Sequence, residues 1–376
     1  MAGAANVADY RALAKARLPR FLFEYIDGGS YDEVTLRRNV EDLQAVALRQ
    51  RVLRDVSDID LSTELLGQRW AMPVGLGPVG LAGLYARRGE VQAAKAAAAA
   101  NVPQILSTVS ACSLSEVAAS GHLPWFQLYF VKDRAFVADL IARAQEARSP
   151  ALVLTVDLAV PGSRYRDARR AGSGVRRAAE LMARPRWLWD VAVRGRPISF
   201  GNLEPIVGNK APLADFQRWI HENFDASVTW NDVEWVRSLW GGPMIIKGVL
   251  DPEDAGIAAQ SGADAVVVSN HGGRQLDGAA STAKALPRIV AAIDGQLPVL
   301  VDGGIRSGLD VVRMLSLGAD FVLLGRAWAY ALAAAGQAGV AHVLKLIDGE
   351  MRVAMALTGC TRISEVDGRL LDQATF

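Results

Sequence analysis

Eight short apolar runs punctuate the chain, at 72–78, 104–108, 125–130, 151–157, 243–249, 265–270, 298–304 and 321–326. Most are continuous in Val, Ile and Leu rather than alternating with polar residues. That is the pattern of parallel strands covered on both faces. Segments of helical pattern lie between them: Ala-rich 90–100, amphipathic 134–147, then 254–260, 308–317 and 327–347. Asp251-Pro252-Glu253 opens the third of these, which suits the positive end of a helix dipole. Strand and helix alternate throughout, which predicts an α/β fold of the (β/α)8 TIM barrel class. A doubly wound open sheet is the competing arrangement. The number of strands and the polar residues at their ends weigh against it.

Strand starts follow one another every 20–33 residues or so, except that 92 residues separate the fourth from the fifth. The fourth connection therefore carries an insertion, taken as 172–212. About 70 residues precede the first strand and read as helices at 7–16, 20–27 and 31–43. No linker interrupts the pattern, so 1–376 reads as a single domain with the insertion inside it.

Composition narrows the classes. The 51% apolar content supports a large core and excludes disorder as the main state. Cys112 and Cys360 are too few for a disulfide scaffold or a cysteine zinc cluster. His122, His221, His271 and His342 form no close metal-ligand pair, so no metal is expected. The N-terminus lacks a signal-peptide core and no run reads as a membrane span, which favours a cytoplasmic location. Net charge is +1 but segregated: 161–212 holds eleven Arg/Lys and four Asp/Glu, the remainder 30 and 36. That asymmetry implies a local anionic partner. Within 172–212, Arg176, Arg177, Arg184, Arg186, Arg194, Arg196 and Lys210 interleave with Trp187 and Trp189. This composition suits an anionic lipid surface. A solvated lid over the barrel mouth is the alternative. No nucleic-acid motif accompanies the charge, so no nucleic-acid partner is expected.

A (β/α)8 barrel builds its active site at the C-terminal ends of its strands. Those ends read Pro78-Val79-Gly80, Ser107-Thr108, Gln127 with Tyr129, Thr155 with Asp157, Lys247, Ser269-Asn270-His271, Asp302-Gly303-Gly304 and Gly325-Arg326. A polar group at almost every position exceeds what a hydrophobic barrel needs. The last two strands end in VDGGIRSG and LLGR. Gly303, Gly304 and Gly325 bring backbone N–H groups to an anion, and Arg306 and Arg326 add charge, as in a barrel phosphate site. In SNHGGRQLDG, His271 can accept a proton near neutral pH and Arg274 can grip a carboxylate with two parallel hydrogen bonds. A base beside a carboxylate clamp is what deprotonation of an α-hydroxy acid requires. Asp157 could face the imidazole and orient it.

The segments LPRFLFEYIDGGSYDEVTLRRN, STVSACSLSEV, WFQLYF, LTVD, IIKGVL, VVVSNHGGRQLDG, VDGGIRSGLDVVRMLSLGAD and LLGR resemble the FMN-dependent α-hydroxy-acid dehydrogenases and oxidases. They run from residue 9 to about 357. LYARRGEVQAAKAA, PGSRYRDA, WLWDVAVRGRP and GVLDPEDA are most similar to membrane-associated bacterial members that act on L-lactate; dehydrogenases of mandelate or another 2-hydroxy acid, and 2-hydroxy-acid oxidases that use O2, are the alternatives. The resemblance implies FMN as cofactor, a small 2-hydroxy acid as substrate and a 2-oxo acid as product. It implies a membrane quinone or other respiratory acceptor, and a homo-oligomer, often tetrameric. It places the protein peripherally on the cytoplasmic side of the cell membrane. His271 would be the base, held by Asp157. Arg274 and Tyr25 would bind the substrate carboxylate with Arg164 nearby, and Tyr129 would hydrogen-bond the hydroxyl oxygen. Ser107, Gln127 and Thr155 would bind the flavin ring, with Pro78, Val79, Gly80 and Ser269 also counted in its surroundings. Lys247 would stabilise negative charge on the ring, as its own charge suggests. Asp302, Gly303, Gly304, Arg306, Gly325 and Arg326 would hold the phosphate. Oxidase members usually carry Thr-Ala where this chain has Val79-Gly80, and glycolate oxidases carry Trp at Val109. These departures point to a dehydrogenase and away from glycolate.

Overall fold

The computed structural model describes residues 3–169, 174–195, 200–207, 219 and 222–372, with side chains left out at 174–177. Eight parallel strands form the barrel. They are β1 Val74–Leu76, β2 Ile105–Ser107, β3 Trp125–Tyr129, β4 Leu152–Thr155, β5 Met244–Val249, β6 Ala265–Val268, β7 Val299–Val301 and β8 Phe321–Leu324. Each pairs with the next from β2 to β8, and β8 returns to β1 through Val322 opposite Val74. A parallel bridge between Leu76 and Gln104 closes the ring. The expected (β/α)8 barrel is therefore observed, with strands shorter than their apolar runs. Pro73, Pro243 and Pro298 stand immediately before β1, β5 and β7. A proline has no N–H to offer the ladder, so pairing starts after it.

Side chains alternate along each strand, and the alternation builds two compartments. Ile105, Trp125, Val153, Ile245, Val267, Leu300 and Phe321 point inward and pack together in the lower barrel. A hairpin of Thr63–Leu65 and Gln68–Trp70, not anticipated from the pattern, plugs this end with Leu65 and Trp70. Trp70 meets Trp125 edge to face, with centroids 6.2 Å apart. Two residues further along the strands, inward positions become Ser107, Gln127, Thr155 and Lys247. Leu106, Phe126, Leu152, Leu154 and Ile246 face outward into the larger core beneath the helices.

Three helices precede the barrel: α1 Val7–Arg17, α2 Arg20–Asp27 and α3 Val34–Gln44. The third starts later than its pattern suggests, because Tyr31 and Glu33 take left-handed backbone (φ 45° and 63°). The final helix, Arg326–Thr358, is longer than expected and breaks at Ala335-Gly336. It is long and apolar enough to cross a membrane by length and composition alone. Its Trp328, Tyr330, Leu332, Val343 and Ile347 are instead buried in the protein core.

In the insertion, helices span Gly174–Met182 and Pro185–Trp187, followed by a wide helical turn Leu188–Val193 and a helix Glu204–Val207. Arg196 and Lys210 lie outside the described residues, as do the side chains of Arg176 and Arg177. Trp187 was expected among the lipid-facing residues. It is buried instead, and its indole N–H donates to the Leu84 carbonyl at 2.7 Å. Asn202 is also buried. It accepts from Leu114 N at 2.8 Å and donates to Ser110 Oγ at 2.9 Å and the Ser107 carbonyl at 3.3 Å. The end of the insertion thus braces the loop after β2.

Candidate active site

Register brings the polar strand ends into one ring. Ser107 lies opposite Gln127, and Tyr129 lies in line with Thr155 and Lys247. The Gln127 amide oxygen accepts from Ser107 Oγ at 3.1 Å and Thr108 N at 3.3 Å. Its Nε2 is left buried without a partner, as is Thr155 Oγ1. An unpaired buried polar atom is costly, so these two groups call for a polar ligand. Ser107, expected at the flavin ring, also donates to Gln127 and so helps to orient that amide.

Lys247 is buried, donates to Ser269 Oγ at 2.9 Å and pairs with Asp302 at 2.9 Å. Burial pulls its pKa down, but Asp302 and Asp157 outweigh burial and hold it above the usual lysine value. Ser269 also donates to Asp302 at 2.7 Å. Asp302 therefore works as the lysine's counter-ion, where the resemblance had grouped it with the phosphate turn. A carboxylate would repel a phosphate, so the pairing with Lys247 is the physically consistent one.

His271 follows β6 in left-handed backbone (φ 56°), with Gly272 and Gly273 also at positive φ. This conformation costs a non-glycine residue about 1 kcal/mol. Surrounding bonds hold it: His271 N donates to Ser269 Oγ at 3.1 Å, and Gly273 N donates to Asn270 Oδ1 at 3.1 Å. Asn270 in turn exchanges side-chain hydrogen bonds with Asn39 of α3. A Cβ on Gly273 would lie 2.6 Å from Leu36 N, so glycine is what lets α3 approach. The imidazole is then fixed at both nitrogens. Nδ1 lies 2.9 Å from Asp157 Oδ1, and Nε2 faces the Tyr129 hydroxyl at 3.5 Å. Burial pushes the Asp157 pKa up, but His271 and Lys247 outweigh it and hold the group below the usual carboxylate range. Burial, followed by Asp157, raises the Tyr129 phenol above its ordinary value, so Tyr129 remains a neutral hydroxyl.

Arg274 donates to the Tyr25 carbonyl at 2.6 Å, which ties the loop after β6 to α2. The guanidinium carbons of Arg274 and Arg164 each lie 4.9 Å from the centre of the Tyr25 ring. Arg164 pairs with Asp167 at 3.0 Å, while its Nη1 is buried without a partner. Burial, and Arg274 beside it, pull the Arg164 pKa down. Two adjacent guanidinium groups in a desolvated chamber favour an anion between them.

Gly303 and Gly304 take φ of 96° and 84°. A Cβ on Gly304 would lie 2.0 Å from the Asn39 carbonyl, so α3 also requires this glycine. Gly325 has open space where a Cβ would stand. Arg326 donates to the carbonyls of Ile26, Gly272 and Gly28 at 2.8–2.9 Å. Burial, opposed by Tyr330, pulls its pKa down to about 9. Neither Arg306 nor Arg326 has a carboxylate partner among the described residues. Two such cations beside a glycine turn suit a phosphate.

These groups surround a cavity of about 950 Å³, lined by Pro78, Val79, Gly80, Tyr129, Thr155, Lys247, His271, Arg274, Asp302, Gly303, Gly304, Arg306, Gly325 and Arg326. A second chamber of about 470 Å³ shares Tyr25, Tyr129, His271 and Arg274 and adds Arg164, Leu158 and Phe224. The larger space fits FMN: it has the orphaned Thr155 hydroxyl and the buried Lys247 at one end, with the orphaned Gln127 amide two residues before Tyr129 on β3, and at the other end two arginines without a carboxylate partner among the described residues. Sequence reasoning missed Tyr85, which lines the cavity and donates to the Gly80 carbonyl at 2.8 Å. It also missed the bracing asparagines 39 and 202. Nothing local distinguishes such residues from ordinary polar positions.

A family model for FMN-dependent dehydrogenases matches residues 14–373. A protein named L-lactate dehydrogenase from Xanthomonas campestris pv. campestris (strain 8004) is 58% identical over 373 residues, covering 98% of this chain and 97% of the relative. One of the same name from Ectopseudomonas mendocina (strain ymp) is 58% identical over 368 residues, covering 96% and 97%. Among solved structures, the monotopic membrane protein (S)-mandelate dehydrogenase superposes with a TM-score of 0.92 at 36% identity, covering 98% of this chain and 99% of the other. A mandelate oxidase does so with 0.85 at 38% identity, covering 98% of each. Barrel, cavity and near full-length match agree, and the chain belongs to the FMN-dependent dehydrogenase family.

Proposed function

We propose that this protein oxidises L-lactate to pyruvate with FMN bound in the larger cavity. It passes the electrons to a membrane quinone or another respiratory acceptor. The observation that carries the chemistry is the His271–Asp157 pair facing Arg274 and Tyr129 across one chamber. FMN, when bound, takes up the two electrons released at the substrate's α-carbon. Arg274, with Arg164 and Tyr25, holds the substrate carboxylate. Tyr129 donates its hydrogen bond to the substrate hydroxyl oxygen. His271 Nε2 accepts the hydroxyl proton, and Asp157 at Nδ1 fixes the tautomer and stabilises the imidazolium. Ser107, Gln127 and Thr155 take the polar edge of the ring, with Pro78, Val79 and Gly80 beside it. Lys247 keeps a positive charge there, positioned by Ser269 and Asp302. Gly303, Gly304, Arg306, Gly325 and Arg326 hold the phosphate.

L-Lactate is favoured over mandelate because relatives of that name are 58% identical over nearly the whole chain, against 36–38% for the mandelate enzymes. The test is anaerobic bleaching of the purified yellow protein by L-lactate, D-lactate, glycolate and (S)-mandelate. Fastest bleaching by mandelate would reverse the ranking, and a colourless protein would remove the redox reading.

The protein is further read as one domain, a homo-oligomer, and a peripheral protein on the cytoplasmic side of the cell membrane, anchored through 172–212. Met182, Trp189 and Val193 are exposed there beside Arg186 and Arg194. Trp189→Ser with Met182→Ser should lower binding to lipid vesicles while preserving bleaching by L-lactate. Unchanged binding would put the anchor elsewhere.

A further inference from the structure

A second polar cavity lies outside the catalytic barrel mouth, where α1 and α2 meet the insertion. It encloses about 810 Å³ and is lined by Arg11, Lys15, Arg20, Phe23, Glu24, Asp27, Arg166 and Arg184. Five cations and two acids line it, and a third acid, Glu33, pairs with Arg166. Asp27 is buried and already shared by Arg11, Arg166 at 2.8 Å and the Tyr330 hydroxyl at 2.7 Å. Glu24 pairs with Arg20 at 2.7 Å. Lys15 and Arg184 have no acidic partner among the described residues. Arg184 is nevertheless fixed, because its Nε donates to the Leu18 carbonyl at 2.9 Å. The cavity is thus a preformed, cation-rich cup with unspent charge.

Its walls belong to elements that also carry exposed apolar side chains. Leu13 of α1 is 49% exposed; Met182, Trp189 and Val193 of the insertion are 76%, 61% and 49% exposed. Leu13 and Arg17 are one helical turn apart on α1, and Arg17 pairs with Asp190, next to Trp189, at 2.6 Å. The two elements therefore present their apolar groups at a shared, salt-bridged seam. Phosphate-binding donors beside exposed apolar residues match a phospholipid, whose phosphate takes the charge while its chains receive Trp and Met.

We infer that this cup, between α1 and the insertion, binds the phosphate headgroup of an anionic phospholipid. The membrane face then comprises α1 as well as 172–212. This rests on the peripheral-anchor reading and adds a defined headgroup site to it.

The test uses the FMN-loaded full chain and two vesicles, phosphatidylcholine alone and phosphatidylcholine mixed with phosphatidylglycerol. Lys15→Gln and Arg184→Gln should each weaken binding to the mixed vesicles more than tenfold, as loss of a charge-assisted hydrogen bond does. Arg186→Gln, exposed on the insertion but outside the cup, should cost at most about fivefold, the effect of one diffuse charge near a lipid surface. Binding to phosphatidylcholine alone and bleaching by L-lactate should match wild type in all three. Lys15 is exposed and holds no structural partner, so its variant serves even where Arg184→Gln loosens the seam. Equal losses for Lys15→Gln, Arg184→Gln and Arg186→Gln would overturn the headgroup site and leave only diffuse attraction. Wild-type protein that binds neither vesicle would overturn the anchor reading and the site with it.

Discussion

The two ends of the barrel are built from the same strands and differ in one step of the side-chain alternation. At the lower end the inward residues are Ile105, Trp125, Val153, Ile245 and Leu300, sealed by Leu65 and Trp70. Two residues later on each strand they are Ser107, Gln127, Thr155, Lys247 and Asp302. The floor is apolar, fully packed and bound to nothing outside itself. Ser107, Gln127, Thr155 and Lys247 of the rim are buried almost as deeply, yet the rim leaves Gln127 Nε2, Thr155 Oγ1 and Asp157 Oδ2 without partners. Burial alone therefore does not separate stability from function here. The gathering of unsatisfied polar atoms does: the floor leaves one, Trp70 Nε1 in its plug, whereas the rim collects three at neighbouring strand ends beside the cavity, an arrangement that a polar ligand would complete.

That contrast can be broken in either direction. The largest effect should come from His271→Asn. L-Lactate should bleach the flavin about 10²–10⁴-fold more slowly, with FMN content and denaturation midpoint unchanged. Bleaching at a near wild-type rate would remove His271 as the base. On the floor, Trp125→Ala should cost about 3–5 kcal/mol of stability through the cavity it leaves. Chemical denaturation checks this, and the bleaching rate per folded molecule should hold. A stable but inactive variant would mean that the two ends are coupled. Arg306→Ala sharpens the rim. It should weaken FMN about 10–100-fold by fluorescence titration, and added FMN should restore turnover. Arg306 is cleaner than Arg326 for this purpose, since Arg326 also holds the end of α2. The smallest effect concerns Asp27, beneath the phosphate arginines. Burial raises its pKa, but Arg11, Tyr330 and Arg166 outweigh burial and lower it to about 2, from 3.8. A depressed carboxylate contributes stability that is full above 3.8 and lost as pH falls toward 2. Wild type should therefore lose about 2 kcal/mol more than Asp27→Asn between those limits. Parallel acid denaturation curves would refute the linkage.

The strands, the glycine turns and the His271–Arg274 segment were legible because each is a local pattern with a local reason. Buried parallel strands read as unbroken apolar runs, and an anion turn needs adjacent glycines. The hairpin at 63–70 was not legible, because only Leu65 and Trp70 of its short strands are buried. Trp187 shows the same limit from the other side. Between arginines it reads as lipid-facing, and only the Leu84 carbonyl makes it a buried clasp. Ser107, Ser269 and Asp302 sat at the right strand ends, but which neighbour each serves is decided by the fold. Asn202 revises the outline of the proposed anchor. Excising all of 172–212 would remove a brace of the loop after β2 along with any lipid contact.

The N-terminal helices have a consequence for how the chain matures. Tyr10 of α1 bonds His342 at 2.7 Å, and Arg326 bonds the carbonyls of Ile26 and Gly28 at the end of α2. Helices α1 and α2 thus find these partners about 300 residues further along the chain. Contacts of such sequence separation are slow to form, and the apolar faces of α1 and α2 stay uncovered until they do. The proposed FMN phosphate site needs the final helix, which supplies Arg326. On the proposed phosphate role of Arg326, a chain that stops short of the final helix should retain less FMN on purification than the full chain.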